Sequence, residues 1–286
     1  SLTTHPTPEN IRDSVRTILS EYLACGIDPE KAPIYVQSDV RQVLELYLYF
    51  NMNTYLGELE RVTSFKEKVR QNPNNVNAGL LTYPTLMAAD ILVHRADKVP
   101  VGKDQEQNME MARLCARRFN RIYKVEYFKE PESFHFNDKA VKVPGLNGTG
   151  KMGKSEGNAI YLCDDEKTIR KKVMSAVTDA GPTMLNQEKP EPIQNLFTLM
   201  ELVSSKDTYD YFNDQYNNMT IRYGDMKKQL AADINAFCAP IREKILQFRS
   251  DEAYLSKVAA VGAEAARVSA EKTLEDVREI IGFRRL

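Results

Sequence analysis

Little in this chain points to metal, redox or membrane chemistry. Its four cysteines, Cys25, Cys115, Cys163 and Cys238, lie far apart and form no Cys-x-x-Cys pair. Free thiols in a reducing cytoplasm are the economical expectation, and a zinc or iron–sulfur centre is not expected. The three histidines, His5, His94 and His135, are isolated, so each reads as a surface or packing residue rather than a catalyst. No apolar run approaches the ~20 residues of a membrane span. No secretory signal is expected from these residues, and no internal repeat or low-complexity tract interrupts them. The 286 residues carry a formal net charge of −1. Any contact with nucleic acid must therefore come from local basic patches.

One loop stands out against this background: Gly148-Thr149-Gly150-Lys151-Met152-Gly153-Lys154-Ser155, followed by Gly157. Glycines at almost every second residue allow positive φ and a close approach to a ligand. Two lysines and a serine on such a backbone suit a polyphosphate. Read literally, the stretch satisfies G-x-x-x-x-G-K-[ST], the loop of a P-loop NTPase. That loop needs a buried strand before it and a helix starting at its Lys-Ser end. Here Lys142-Val143-Pro144-Gly145 is too short for a core strand, and Gly157-Asn158 interrupts any helix before Ala159-Ile160-Tyr161-Leu162, which reads as a strand. A solvated, lysine-rich surface loop is the plain alternative.

In chain order, Thr7-Pro8-Glu9-Asn10 starts a helix that Gly26 closes. Ile34 to Ser38 reads as a short apolar strand, and Ser38 or Asp39 caps a helix through Phe50. Helix, turn, strand, helix is the rhythm of a parallel α/β sheet. Gly57 to Lys66 is a charged amphipathic helix. In Gly79 to Leu92, Tyr83-Pro84 reads as a helix start, and Asp90 lies within an apolar helix, where an unpaired carboxylate is costly. An internal salt bridge, an N-cap contact and a ligand's hydrogen-bond donor all remain open as its partner. Met87 shares its helix face.

Lys98 to Gly102 is the next strand, with Asp104 and Gln105 at its C-terminal end, where ligand groups collect in open α/β sheets. Asp104 suits ribose hydroxyls or a plain helix cap, and Gln105 suits an amino or carboxylate group. Residues 120–142 are mixed and aromatic and resist placement. Asp164-Asp165-Glu166 caps a basic helix, Gly181-Pro182 and Pro190–Pro192 mark a boundary, and the rest is nearly all helix, with Pro240 as an expected kink. Arg267, Lys272, Arg278, Arg284 and Arg285 are candidates for an RNA-backbone patch.

Lys151-Met152-Gly153-Lys154-Ser155 resembles the Lys-Met-Ser-Lys-Ser loop of class I aminoacyl-tRNA synthetases. Together with Gly57-Glu58-Leu59-Glu60-Arg61, Gly79 to Leu92, Val99 to Gln105 and Lys171 to Asp179, it resembles the bacterial tryptophanyl-tRNA synthetases along the whole chain. The resemblance implies an α/β fold, with a Rossmann-type parallel-sheet catalytic domain over 1–184 and an all-helical, anticodon-binding domain over 185–286. It implies activation of L-tryptophan with ATP, transfer to tRNA(Trp), a cytoplasmic homodimer, and Mg²⁺ carried by ATP rather than held as a protein metal site.

Carried over by position, Asp90 accepts the indole N–H, with Met87, Val99 and Val101 around the ring and Tyr83 and Gln105 on the α-amino and carboxylate groups. Gly102, Asp104, Lys151, Met152 and Lys154 serve ATP, and Lys151, Lys154 and Ser155 carry the catalysis. This chain departs from the family at Gly153, in place of a serine, and at Lys103, where an acid is common. The family's nucleotide signature on an initial strand and helix is also not seen before Ser1. The expectation is an N-terminally incomplete version of the enzyme. The alternative is an inactive synthetase-like RNA-binding protein.

Overall fold

The computed structural model describes residues 2–71, 73–135, 143–148, 150–153 and 157–283. Helix dominates them: α1 (Pro8–Ala24), α2 (Gln42–Asn53), α3 (Leu56–Leu59), α4 (Thr63–Gln71), α5 (Ala78–Leu92), α6 (Glu106–Tyr123), α7 (Glu166–Met174), α8 (Glu191–Val203), α9 (Lys206–Asn217), α10 (Tyr223–Ser250) and α11 (Glu252–Ile281). Strands β1 (Lys98–Pro100) and β2 (Glu132–Phe134) pair in parallel, with Val99 opposite Ser133. Parallel pairing follows from the connection, since α6 carries the chain back between them. Among the described residues no helix is long and apolar enough to cross a membrane.

The chain forms two compact units. The first comprises Ser1–Leu19, Asp28–Lys139 and Glu252–Leu286, and the second Ser20–Ile27 and Ala140–Asp251. This packing partition differs from the expected division at 184/185, since Glu252–Leu286 groups with the first unit and Ala140–Asp251 with the second. In the first unit the core is built from Val43, Leu46 and Phe50 of α2, Ala88, Ala89 and Leu92 of α5, Met109, Ala112 and Phe119 of α6, and Ala270 and Val277 of α11. In the second, Ile169 and Val173 of α7 meet Ile193, Phe197 and Met200 of α8 and Met226, Leu230 and Ile234 of α10. Each such large side chain contributes about 1.5–3 kcal/mol on burial.

Several expectations change. The apolar run 34–38 is extended at Val36 but has no ladder partner among the described residues, and Gln37–Asp39 forms a turn of 3₁₀ helix. Its backbone packs instead on α11, where a Cβ on Gly262 would lie 2.0 Å from the Ile34 carbonyl oxygen. Ala159–Leu162 is not a strand either. Its backbone groups bond side chains: Lys172 Nζ donates to the Ala159 carbonyl (3.0 Å), and Asp164 accepts from Tyr161 N–H (2.8 Å).

Helix α5 is capped by Asn77, whose side chain accepts from Leu80 N–H (3.0 Å), so Pro84 lies inside the helix. The Gly57–Lys66 helix is two short helices broken at 60–62, and the unplaced aromatic stretch contains β2. Pro240 lies within the single helix α10.

Candidate active site

Helix α5 presents Tyr83, Met87 and Asp90 at i, i+4 and i+7, and therefore on one face. Asp90 is half-buried between the fully buried Ala89 and the buried Ile91. Its partner is a neutral carboxamide: Gln37 Nε2 donates to both carboxylate oxygens, at 2.7 and 2.8 Å. Among the described residues no Lys or Arg pairs with it, so the internal salt bridge left open by the sequence is not formed there. Burial raises the Asp90 pKa, and the Gln37 hydrogen bond opposes that rise. A carboxylate has about four acceptor positions, so this contact leaves room for a further donor.

Met87, Val99 and Val101 are partly buried against one apolar cluster, which joins the α5 face to the β1 strand. Tyr83 is half-buried, its hydroxyl is hydrogen-bonded to Ser64 Oγ, and Lys68 Nζ lies 4.3 Å above its ring. Beyond β1 the chain turns through Gly102. A Cβ there would lie 2.6 Å from Asp104 Oδ1, so glycine lets the Asp104 carboxylate fold back over the turn. Gln105 Nε2 donates to Asp104 Oδ2 (3.1 Å), and Gln105 Oε1 accepts from the buried Asn108 (2.9 Å). The expected ribose and amino-acid groups are thus linked by hydrogen bonds at the strand's C-terminal end.

The lysine loop belongs to the second unit. Pro144 and Lys151 form an antiparallel bridge, Met152 N–H donates to the Val143 carbonyl (2.9 Å), and Gly148 and Gly150 have φ of +85° and +69°. Buried Asn158 ties the loop together. Its Oδ1 accepts from Gly153 N–H (3.0 Å), and its Nδ2 donates to Asn147 Oδ1 (2.9 Å) and the Lys151 carbonyl (3.2 Å). A Cβ on Gly145 would lie 2.0 Å from Asn158 Nδ2.

Met152 anchors the loop through its backbone and through its sulfur, which accepts from Ile160 N–H (3.4 Å). Lys151 is exposed. Lys154 and Ser155 lie outside the described residues. Among the described residues after the loop, Gly157–Asn158 are not helical and the next helix, α7, starts at Glu166, which does not supply the helix a P-loop requires.

The partners Gln37, Asn108 and Asn158 are not foreseeable from the sequence, because single amides follow no periodic pattern. Two members of the suggested RNA patch are engaged within the protein. Arg278 forks Glu45 at 2.8 and 2.6 Å, and Arg267 bonds Glu264 and the Asp39 carbonyl. Arg284 and Arg285 lie outside the described residues. Glu58, in the charged 57–61 motif, receives both terminal nitrogens of buried Arg118, at 2.9 and 2.6 Å.

A family model described as class I tRNA synthetases (W and Y) matches residues 1–239. A tryptophan–tRNA ligase of Porphyromonas gingivalis is 72% identical over 284 residues, covering 99% of this chain and 87% of that protein. Among solved structures, a Campylobacter jejuni tryptophanyl-tRNA synthetase complexed with ADP and tryptophan is similar, with a TM-score of 0.87 and 33% identity over 98% of this chain and 86% of that one. The Mycoplasma pneumoniae enzyme follows with a TM-score of 0.79 and 29% identity, over 98% and 85% of the two chains.

Proposed function

This chain belongs to the class I tRNA synthetases for tryptophan and tyrosine, and we propose a division of roles for the residues that carry its reaction. Its activity is that of an ATP-dependent tryptophan–tRNA ligase. The tryptophan carboxylate attacks the α-phosphate of ATP, pyrophosphate leaves, and the 3′-terminal hydroxyl of tRNA(Trp) then takes the aminoacyl group from the adenylate as AMP leaves.

Asp90 accepts the indole N–H in an apolar slot made by Met87, Val99 and Val101. Tyr83 and Gln105 hold the α-amino and carboxylate groups. The observation that carries this reading is a half-buried carboxylate partnered by an uncharged amide. Its charge is retained for a ligand donor, and phenylalanine would leave it without that donor.

Asp104 serves the ribose, and Gly102 makes room beside it for ATP. Lys151 and Lys154 neutralise the phosphates as charge moves to pyrophosphate, and the Ser155 hydroxyl donates a hydrogen bond to them, so catalysis is positioning and electrostatics on the loop that includes Met152. Mg²⁺ enters with ATP and supplies further charge neutralisation on its phosphates.

The 1–184 part catalyses and the helical 185–286 part binds the anticodon. Leu44, Leu48 and Met52 form an exposed apolar row at i, i+4 and i+8 on α2, with exposed Tyr55 and Leu56 beyond it. That row supports a homodimer, which light scattering would measure. The cytoplasm suits the free cysteines, including buried Cys115, whose thiol burial pushes up to about 12.

Amino-acid-dependent exchange of pyrophosphate into ATP tests the assignment. Exchange is expected with tryptophan and not phenylalanine, and Asp90→Asn is expected to erode that preference. An unchanged preference in Asp90→Asn would refute the role given to Asp90.

A further inference from the structure

We propose that Gln37 is a specificity-determining residue for tryptophan, one that aims the Asp90 carboxylate and shares it with the ligand's N–H. The inference rests on the reading of Asp90 as the indole acceptor.

Gln37 is presented by a braced piece of backbone. The extended run before it lies against α11 at Gly262, and the Tyr35 hydroxyl bonds His94 Nε2 at 2.8 Å. His94 Nδ1 in turn meets Ser269 Oγ at 3.3 Å. Just after it, Val40 is 1% exposed, and its N–H donates to the Gln37 carbonyl at 3.1 Å. The chain therefore has little freedom to swing the carboxamide away.

The chemistry of the pair also fits this role. One amide nitrogen reaches both oxygens, which fixes the carboxylate plane and still leaves acceptor positions open. An arginine or lysine at 37 would neutralise the charge the ligand needs. A glutamate would bring a second carboxylate against the first and force one of them to hold a proton. A glutamine donates without doing either. Gln37 is itself exposed, and an exposed hydrogen bond contributes little to folding, so its loss should be felt by the ligand more than by the fold.

Gln37→Met keeps the length and removes the donor, and Gln37→Glu keeps the shape and replaces the donor with an acceptor. In pyrophosphate exchange, both should raise the KM for tryptophan by about tenfold and lower the tryptophan-to-phenylalanine ratio of kcat/KM by a similar factor. The KM for ATP should stay within about twofold, and the melting temperature should be unchanged. Glu is expected to be the worse of the two. If tryptophan KM and selectivity stay at wild-type values in both variants while Asp90→Asn changes them, the Gln37 role is overturned and the Asp90 reading stands. If Asp90→Asn changes nothing either, the underlying reading falls. Parallel losses in ATP KM and melting temperature would mark Gln37 as a structural residue and also overturn the proposal.

Discussion

The acceptor region and the lysine loop are held in opposite ways. Asp90 sits in a fifteen-residue helix between buried neighbours, and its carboxylate is fixed by a side chain. Among its described residues, the loop from Val143 to Gly153 is held by turn-type backbone hydrogen bonds, a one-residue bridge, the Met152 sulfur and the side-chain amide of buried Asn158. A rigid aromatic ring is best recognised by groups already in place, because selectivity comes from a donor that finds or misses a fixed acceptor. A triphosphate changes its charge distribution during reaction, and a loop held by turns and side-chain amides rather than by a helix can follow it.

Breaking the loop's chemistry gives the largest expected effect. Lys151→Ala should slow adenylate formation by about 10²–10³-fold and leave tryptophan affinity within about twofold, as pre-steady-state kinetics and equilibrium binding would show. Equal losses in both would dissolve the contrast between the regions.

Next comes the frame on the acceptor side. Arg118 is 7% exposed and Glu58 20% exposed, and Glu58→Gln should cost about 2–3 kcal/mol in denaturant unfolding by leaving Arg118 underpaired. The hydrogen bond from Arg118 holds Glu58 below the usual carboxylate range. The pair's contribution is therefore present above the ordinary pKa of about 4.3 and is lost as pH falls through the lowered one. Unfolding curves of wild type and Glu58→Gln should converge on acidification.

Asn158→Ala gives the smallest effect and sharpens the comparison most. It unpins Gly153 N–H and the Lys151 carbonyl together, so kcat should fall by about tenfold, roughly 1.4 kcal/mol. Tryptophan KM should hardly move. A change confined to tryptophan KM would show that the loop's anchor belongs to the other region's task.

The sequence showed which side chains carry charge into unusual places more clearly than which groups receive them. An acid in the apolar stretch Met87 to Leu92 is conspicuous in any alignment with helical periodicity, and Asp165 was readable as a cap, accepting from Thr168 N–H in the fold (2.7 Å). Gln37 and Asn158 were not legible as partners, because their bonds cross 53 residues in one case and close a local knot in the other. The same limit explains the two absent strands. An apolar run such as 34–38 or 159–162 specifies burial, and strand formation depends on a ladder partner that sequence spacing does not reveal. Tyr83-Pro84 misled for a related reason: proline is common at the first helical position, but the cap was Asn77, seven residues earlier.

A tryptophan analogue with benzothiophene in place of indole keeps the bicyclic shape and has sulfur where the N–H stood. Its kcat/KM in pyrophosphate exchange, set against that of tryptophan in wild type and in Asp90→Asn, addresses the acceptor itself. The account predicts that wild type prefers tryptophan by about 10²-fold or more, and that the variant loses most of that margin. A wild-type enzyme that used both equally well, or a variant that kept the full preference, would contradict it.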